Sequence, residues 1–80
     1  MSWHIASLIV RCRPEHEAAV AARLNALELT EVRGAQHGRI VVLAEGANEY
    51  ELAQRFDAIR ATPDVMTTDL VHHEIDTDDS

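Results

Sequence analysis

The stretch His4-Ile5-Ala6-Ser7-Leu8-Ile9-Val10-Arg11-Cys12 decides how the chain is read. It is too short to cross a bilayer, and the β-branched Ile5, Ile9 and Val10 favour an extended strand. Side chains on a strand alternate between faces. Ala6, Leu8, Val10 and Cys12 therefore share one face, and Trp3, Ile5, Ser7 and Ile9 the other. Both faces are apolar. A strand of this kind needs cover on two sides, and in a chain of 80 residues the second cover points to another molecule.

Outward from that strand, Arg13-Pro14-Glu15 opens a helix, with proline in the first turn and Glu15 and Glu17 at the positive end of the dipole. The helix is alanine-rich to about Leu27, and Val20, Leu24 and Leu27 form one stripe. Glu28 to Thr30 reads as a turn, Glu31-Val32-Arg33 as a short strand, and Gly34-Ala35-Gln36-His37-Gly38 as a hairpin loop. Arg39 to Glu45 is a second strand that is apolar on both faces. Asn48 is an N-cap with Glu51 as its capping-box partner, and the helix it starts runs to about Ala61, burying Leu52, Phe56 and Ile59. Thr62-Pro63-Asp64 breaks that helix, and Val65 to His73 reads as a last strand. The expected domain covers residues 1–75, with 76–80 an acidic, disordered tail.

The stripes Val20, Leu24, Leu27 and Leu52, Phe56, Ile59 have the same spacing, 32 residues apart. Strand, helix, strand, strand, helix, strand is the order of a split βαβ, ferredoxin-like α+β sandwich: a four-stranded antiparallel sheet with both helices on one face. The other face of the sheet is left bare. Keeping Arg11, Glu31, Arg33, Arg39 and Glu45 away from the helices sets the register. The inner face then holds Ala6, Leu8, Val10, Val32, Ile40, Val42 and Ala44, and the open face Trp3, Ile5, Ser7, Ile9, Val41 and Leu43. In the last strand the same alternation puts Met66, Thr68, Leu70 and His72 inside, and Val65, Thr67, Asp69, Val71 and His73 outside. The open face is thus an apolar floor (Ile5, Ile9, Val41, Leu43, Val71) with Ser7 and Thr67, rimmed by Glu31, Glu45 and Asp69. A patch of this kind marks a binding site or a sheet-to-sheet homodimer.

Composition narrows the function. The formal net charge is −7; Glu74, Asp76, Asp78 and Asp79 supply four of those charges and leave −3 for the body, which argues against binding a phosphate backbone. RNA recognition on such a sheet needs aromatics on the central strands, where this chain has aliphatics. The chain has no Lys and so no P-loop lysine, and it has no C-x-x-C. The single Cys12 forms no internal disulfide and reads as a buried, inert thiol. His72 and His73 are adjacent on a strand, so they point to opposite faces; His4 lies near His72 across the strand pair, too few ligands for a metal. No catalytic constellation, cofactor motif, secretory leader or membrane span is present, and the default address is the cytoplasm.

Four segments carry a resemblance: Ser7-Leu8-Ile9-Val10, Leu24-Asn25-Ala26-Leu27, Gly38-Arg39-Ile40-Val41-Val42, and Asp64-Val65-Met66 with Leu70-Val71-His72-His73. In order and spacing, from about Trp3 to Glu74, they resemble the NapD family of cytoplasmic chaperones for maturation of the periplasmic nitrate reductase catalytic subunit. The chain departs from the family pattern at three places. It has His72-His73 where members often carry Tyr-His, Asp64 where a glycine commonly precedes the last strand, and Glu28-Leu29-Thr30 where the usual glycine is missing.

The resemblance implies a protein that is not an enzyme and holds no cofactor. Its implied partner is the twin-arginine signal peptide of the nitrate reductase precursor, whose export it delays until the molybdenum cofactor and iron–sulfur cluster are inserted. Strand alternation, rather than the family, supplies the expected site. The peptide would bind at Ile5, Ser7, Ile9, Val41, Leu43, Thr67, Asp69 and Val71, with its apolar side on Ile5, Ile9, Val41, Leu43 and Val71, and its arginines would meet Glu31, Glu45 or Asp69. The expected oligomeric state is a monomer or weak homodimer. The alternative is a homo-oligomeric regulatory or small-ligand-binding domain of the same fold.

Overall fold

The computed structural model describes residues 2–77. β1 (Ser2–Arg11) leads through a 3-10 turn at Pro14–His16 into α1 (Glu17–Asn25); then follow β2 (Thr30–Gln36), β3 (Arg39–Gly46), α2 (Glu49–Arg60) and β4 (Thr67–Thr77). The strands form one sheet in the order β2-β3-β1-β4, and every neighbouring pair is antiparallel. This is the ferredoxin-like arrangement expected from the doubled strand–helix–strand order. β1 and β3 are the two central strands, which is why they are apolar on both faces.

The helices meet the inner face where alternation placed it. Ala6 and Val10 of β1, Ile40, Val42 and Ala44 of β3, Val20 and Leu24 of α1, and Ile59 of α2 are fully buried, with Leu8 and Leu52 nearly so. Leu27, Val32 and Phe56 pack at the margin of this core. Cys12 closes the end of the inner face, as expected of a buried thiol. Burial raises its pKa above the ordinary thiol range, and the negative charges of Glu17, Asp64 and Glu15 push in the same direction.

Local chemistry sets the element ends. The Asn48 side chain accepts a hydrogen bond from the Glu51 amide at 2.8 Å, as an N-cap does, while the Glu51 carboxylate reaches back to the Ala47 amide at 3.0 Å, one residue ahead of the Asn48 amide that the expected box would engage. The β2–β3 hairpin is tighter than expected. Pairing runs on to Gln36↔Arg39, and the loop shrinks to His37 and Gly38, with φ of 54° and 79°. Two positive φ angles mark the type I′ turn, whose twist matches that of the strands. Gly38 is required there: a Cβ would overlap the carbonyl oxygen of Cys12, whose own amide bonds to the Gly38 carbonyl at 2.8 Å.

Two other residues with positive φ are Leu29 (51°) and Asp64 (73°). Each is held by its neighbours. The Leu29 carbonyl accepts from the Glu45 amide at 2.9 Å. Asp64 accepts from the Arg23 guanidinium at 2.8 Å, with His16 at 3.7 Å. That hydrogen bond from Arg23 holds the Asp64 carboxyl below its ordinary value; partial burial opposes the shift and the charges of His16 and Arg23 add to it.

β4 departs from the expected register. It pairs as Leu8↔Leu70 and then Ser7↔His72, so Val71 is an inserted residue and the alternation reverses beyond it. His73, expected outside, stands opposite inward-facing Ala6, and His72, expected inside, stands opposite Ser7 on the open face. The imidazole beside His4 is therefore that of His73, with Nδ1 of His4 3.0 Å from its Nε2. Met66 and Val65 also change places. Met66 is 65% exposed ahead of the strand, and Val65 packs against the core. Leu70 faces the helix side but stays 53% exposed, because the helices pack mainly on β2 and β3 and reach β4 only slightly. The strand continues through Asp76 to Thr77, where the tail was expected to begin; Asp78, Asp79 and Ser80 lie outside the described residues.

Candidate functional site

The face opposite the helices is assembled in rows, because directly paired residues of antiparallel strands share a face. From one end of β1 to the other, these are Trp3 with Asp76; Glu45, Ile5 and Glu74; Glu31, Leu43, Ser7 and His72; Gly34, Val41, Ile9 and Asp69; and Gln36, Arg39, Arg11 and Thr67. Among the described residues, no helix covers these rows. The expected floor is thus brought together: Ile5, Ser7, Ile9, Val41 and Leu43 are contiguous on the two central strands, with Thr67 and Asp69 at the β4 edge.

The floor is less naked than alternation alone implies. Val41 is 37% exposed, but Ile9 is only 9% exposed, and Ile5, Ser7 and Leu43 are half-buried. The difference between Val41 and Ile9 has a local cause. Val41 has Gly34 as its neighbour on β2, where a Cβ would meet nothing within 4 Å, so a hollow opens beside it. The hollow is lined by Arg11, Gly34, Gln36, Arg39 and Val41. Val71 does not extend the floor as a regular member. It is the bulge residue, without a partner on β1, and it stands 62% exposed at the sheet edge.

The three carboxylates expected at the rim differ in availability. Glu31 is already met by Arg33 at 3.3 Å, an exposed pair of small energetic worth. Glu45 accepts from the Trp3 indole at 2.7 Å, which fixes one oxygen and leaves further acceptor positions on the carboxylate. Asp69 has no ion-pair partner among the described residues. The bulge adds acidic groups that the sequence reading assigned elsewhere: Glu74 and Asp76 both face the open side, and Glu74 lies 4.0 Å from His72. Alternation carried no sign of the bulge, so these residues were out of its reach. Arg11 and Arg39 were within reach, being two positions from Ile9 and Val41 on the same face. Among the described residues, no group of three or more His, Cys, Asp or Glu is placed to hold a metal.

These features define the class: a ferredoxin-like α+β domain whose helices cover one side of the sheet and whose other side presents an aliphatic floor between charged ends. The particular family follows from comparison with known proteins. A family model described as NapD protein matches residues 3–77, and the chain belongs to the NapD family. A protein of Paracoccus pantotrophus named Chaperone NapD is 38% identical over 72 residues, covering 90% of this chain and 64% of that protein's own length. Another Chaperone NapD, from Haemophilus influenzae, is 29% identical over 76 residues, covering 92% of this chain and 82% of its own length. The solution structure of the E. coli Tat proofreading chaperone protein NapD superposes with a TM-score of 0.84 at 25% identity, covering 98% of this chain and 84% of that one. These relatives are named as chaperones and not as enzymes, in keeping with the expectation from the residues. No described helix is long and apolar enough to cross a membrane.

Proposed function

We propose that this chain is a cytoplasmic chaperone that binds the twin-arginine signal peptide of the periplasmic nitrate reductase catalytic subunit precursor on the open face of its sheet. Acting as a monomer or weak homodimer, it delays export until the cofactors of the enzyme are in place. Membership in the NapD family supports the chaperone role, and similarity to the E. coli Tat proofreading chaperone supports this kind of partner. The observation that carries the reading is the continuous aliphatic row Ile5, Ile9, Val41 and Leu43 with carboxylates beside it. A twin-arginine leader joins a basic segment to an apolar one, and a helix formed by it would lay its apolar side on that row. Within that row Val41 and the hollow beside it offer the most accessible apolar contact, and Glu45 and Glu74 flank Ile5 where guanidinium groups would be received.

Titrating the 15N-labelled protein with a synthetic leader tests this. The expected result is a set of amide shifts on β1 and β3, centred on Ile5, Leu43 and Val41, with the amides of α1 and α2 little moved. Shifts confined to the helices, or no binding, would overturn the proposal. Sedimentation at the same concentrations is expected to show no tight dimer hiding the open face.

A further inference from the structure

The open face is electrically lopsided along the strand direction. Around Trp3 and Ile5 it carries Glu45, Glu74 and Asp76, with His72 one row further on. Around Ile9 and beyond it carries Arg39 and Arg11 against the single carboxylate of Asp69. The two arginines stand directly opposite each other on β3 and β1, and neither has an ion-pair partner among the described residues. Like charges set opposite each other across strands are unfavourable. In a chain with 14 acidic residues against 7 basic ones, pairing two of the seven in this way asks for an anionic or electron-rich partner.

We propose that this polarity fixes the direction of the bound segment: its arginine-bearing N-terminal end lies over Glu45 and Glu74, and its C-terminal end lies over Arg11 and Arg39, so that it runs parallel to β1. This rests on the open-face reading above and adds the direction to it. Two contributions act in the same sense. The leader's arginines are attracted to the Glu45–Glu74 end, and in the reverse orientation they would face Arg11 and Arg39. The helix dipole places partial positive charge at the N-terminus and partial negative charge, on unpaired carbonyls, at the C-terminus. Those carbonyls would sit at the hollow beside Gly34, within reach of guanidinium donors. The lengths agree. Ile5 to Arg11 spans about 20 Å of strand at roughly 3.3 Å per residue, which a helix of about 13 residues covers at 1.5 Å per residue.

The experiment uses the full 15N-labelled chain and two versions of the twin-arginine leader, one with a nitroxide at its N-terminal end and one with it at the C-terminal end of the apolar stretch. The N-terminal label is expected to broaden away the amide signals of Ile5, Glu45 and Glu74, and the C-terminal label those of Arg11, Gln36 and Arg39. The reverse pattern, or equal broadening of both groups by each label, overturns the polarity while leaving the open-face site standing. Broadening that misses the sheet altogether overturns both. In the double variant Arg11→Glu, Arg39→Glu, the two labels are expected to lose their separate patterns. Retention of the original patterns in that variant would show that the arginines do not set the direction, and would also overturn the proposal.

Discussion

The two sides of β1 and β3 are built from similar residues and meet different surroundings. On the helix side, Ala6, Val10, Ile40, Val42 and Ala44 are wholly buried under two helices, where packing is as dense as an organic crystal. On the open side, Ile5, Ile9, Val41 and Leu43 are shielded only by their neighbours on the sheet, and a glycine beside Val41 withdraws part of that shield. Hydrophobicity alone therefore does not separate the core from the uncovered face of the sheet in this protein. The distinction lies in what stands above each face: two helices on one, and charged strand positions at either end on the other.

The strongest way to break the comparison is to remove volume from the helix side. Leu8→Ala is expected to lower the unfolding free energy by about 2–5 kcal/mol in urea titration, since the side chain is nearly fully buried and its cavity has little room to collapse. On the open side, Val41→Asp is expected to weaken leader binding by about 1–3 kcal/mol by calorimetry, with a stability change under about 1 kcal/mol. Unfolding by Val41→Asp would mean that the two sides have been confused. The same change at Ile9 is a poorer discriminator, because at 9% exposure that residue supports the sheet as well as the floor.

Smaller effects sharpen the comparison at the joints that hold the helices to the sheet. Leu29 takes a left-handed conformation that disfavours a side chain with a Cβ, so Leu29→Gly is expected to raise stability by about 0.5–1 kcal/mol after the added freedom of the unfolded chain is counted. Binding should be unchanged. The smallest effect concerns Asp64, whose carboxyl is held below its ordinary 3.8 by Arg23. A group with a lowered folded-state pKa contributes stability above its unfolded value and loses it as pH falls through the folded value. The advantage of the natural chain over Asp64→Asn should therefore be present at neutral pH and fade only below about pH 4, the range of an unperturbed aspartate. Asparagine tolerates the left-handed backbone, so the variant isolates the charge.

Much of this architecture was legible in the residues. The doubled stripes Val20, Leu24, Leu27 and Leu52, Phe56, Ile59 implied two helices on one face, and the apolar alternation of β1 and β3 implied a sheet that needs cover twice. Both follow from periodicity, which one segment carries by itself. The element ends were less legible. Gly34 to Gly38 has the composition of a loop, yet strand pairing extends to Gln36 because a bulge at Arg33 lets the longer hairpin keep its faces. Edge strand β4 was misread beyond Leu70 for a related reason. An inserted residue such as Val71 leaves no mark on a sequence that is mixed on both faces, and one insertion moves every later side chain across the sheet.

By itself, then, the sequence determined the fold class, the central strands, the inner face and the apolar floor, because each depends on a pattern repeated within a few residues. Only the tertiary structure decided which charges meet that floor. Glu74 and Asp76 arrive beside Ile5 and Trp3 through the β4 bulge, Trp3 holds Glu45 from within the same face, and Arg11 confronts Arg39 across a strand pair. These are relations between residues far apart in the chain, set by register, and register is fixed only when all four strands lie together.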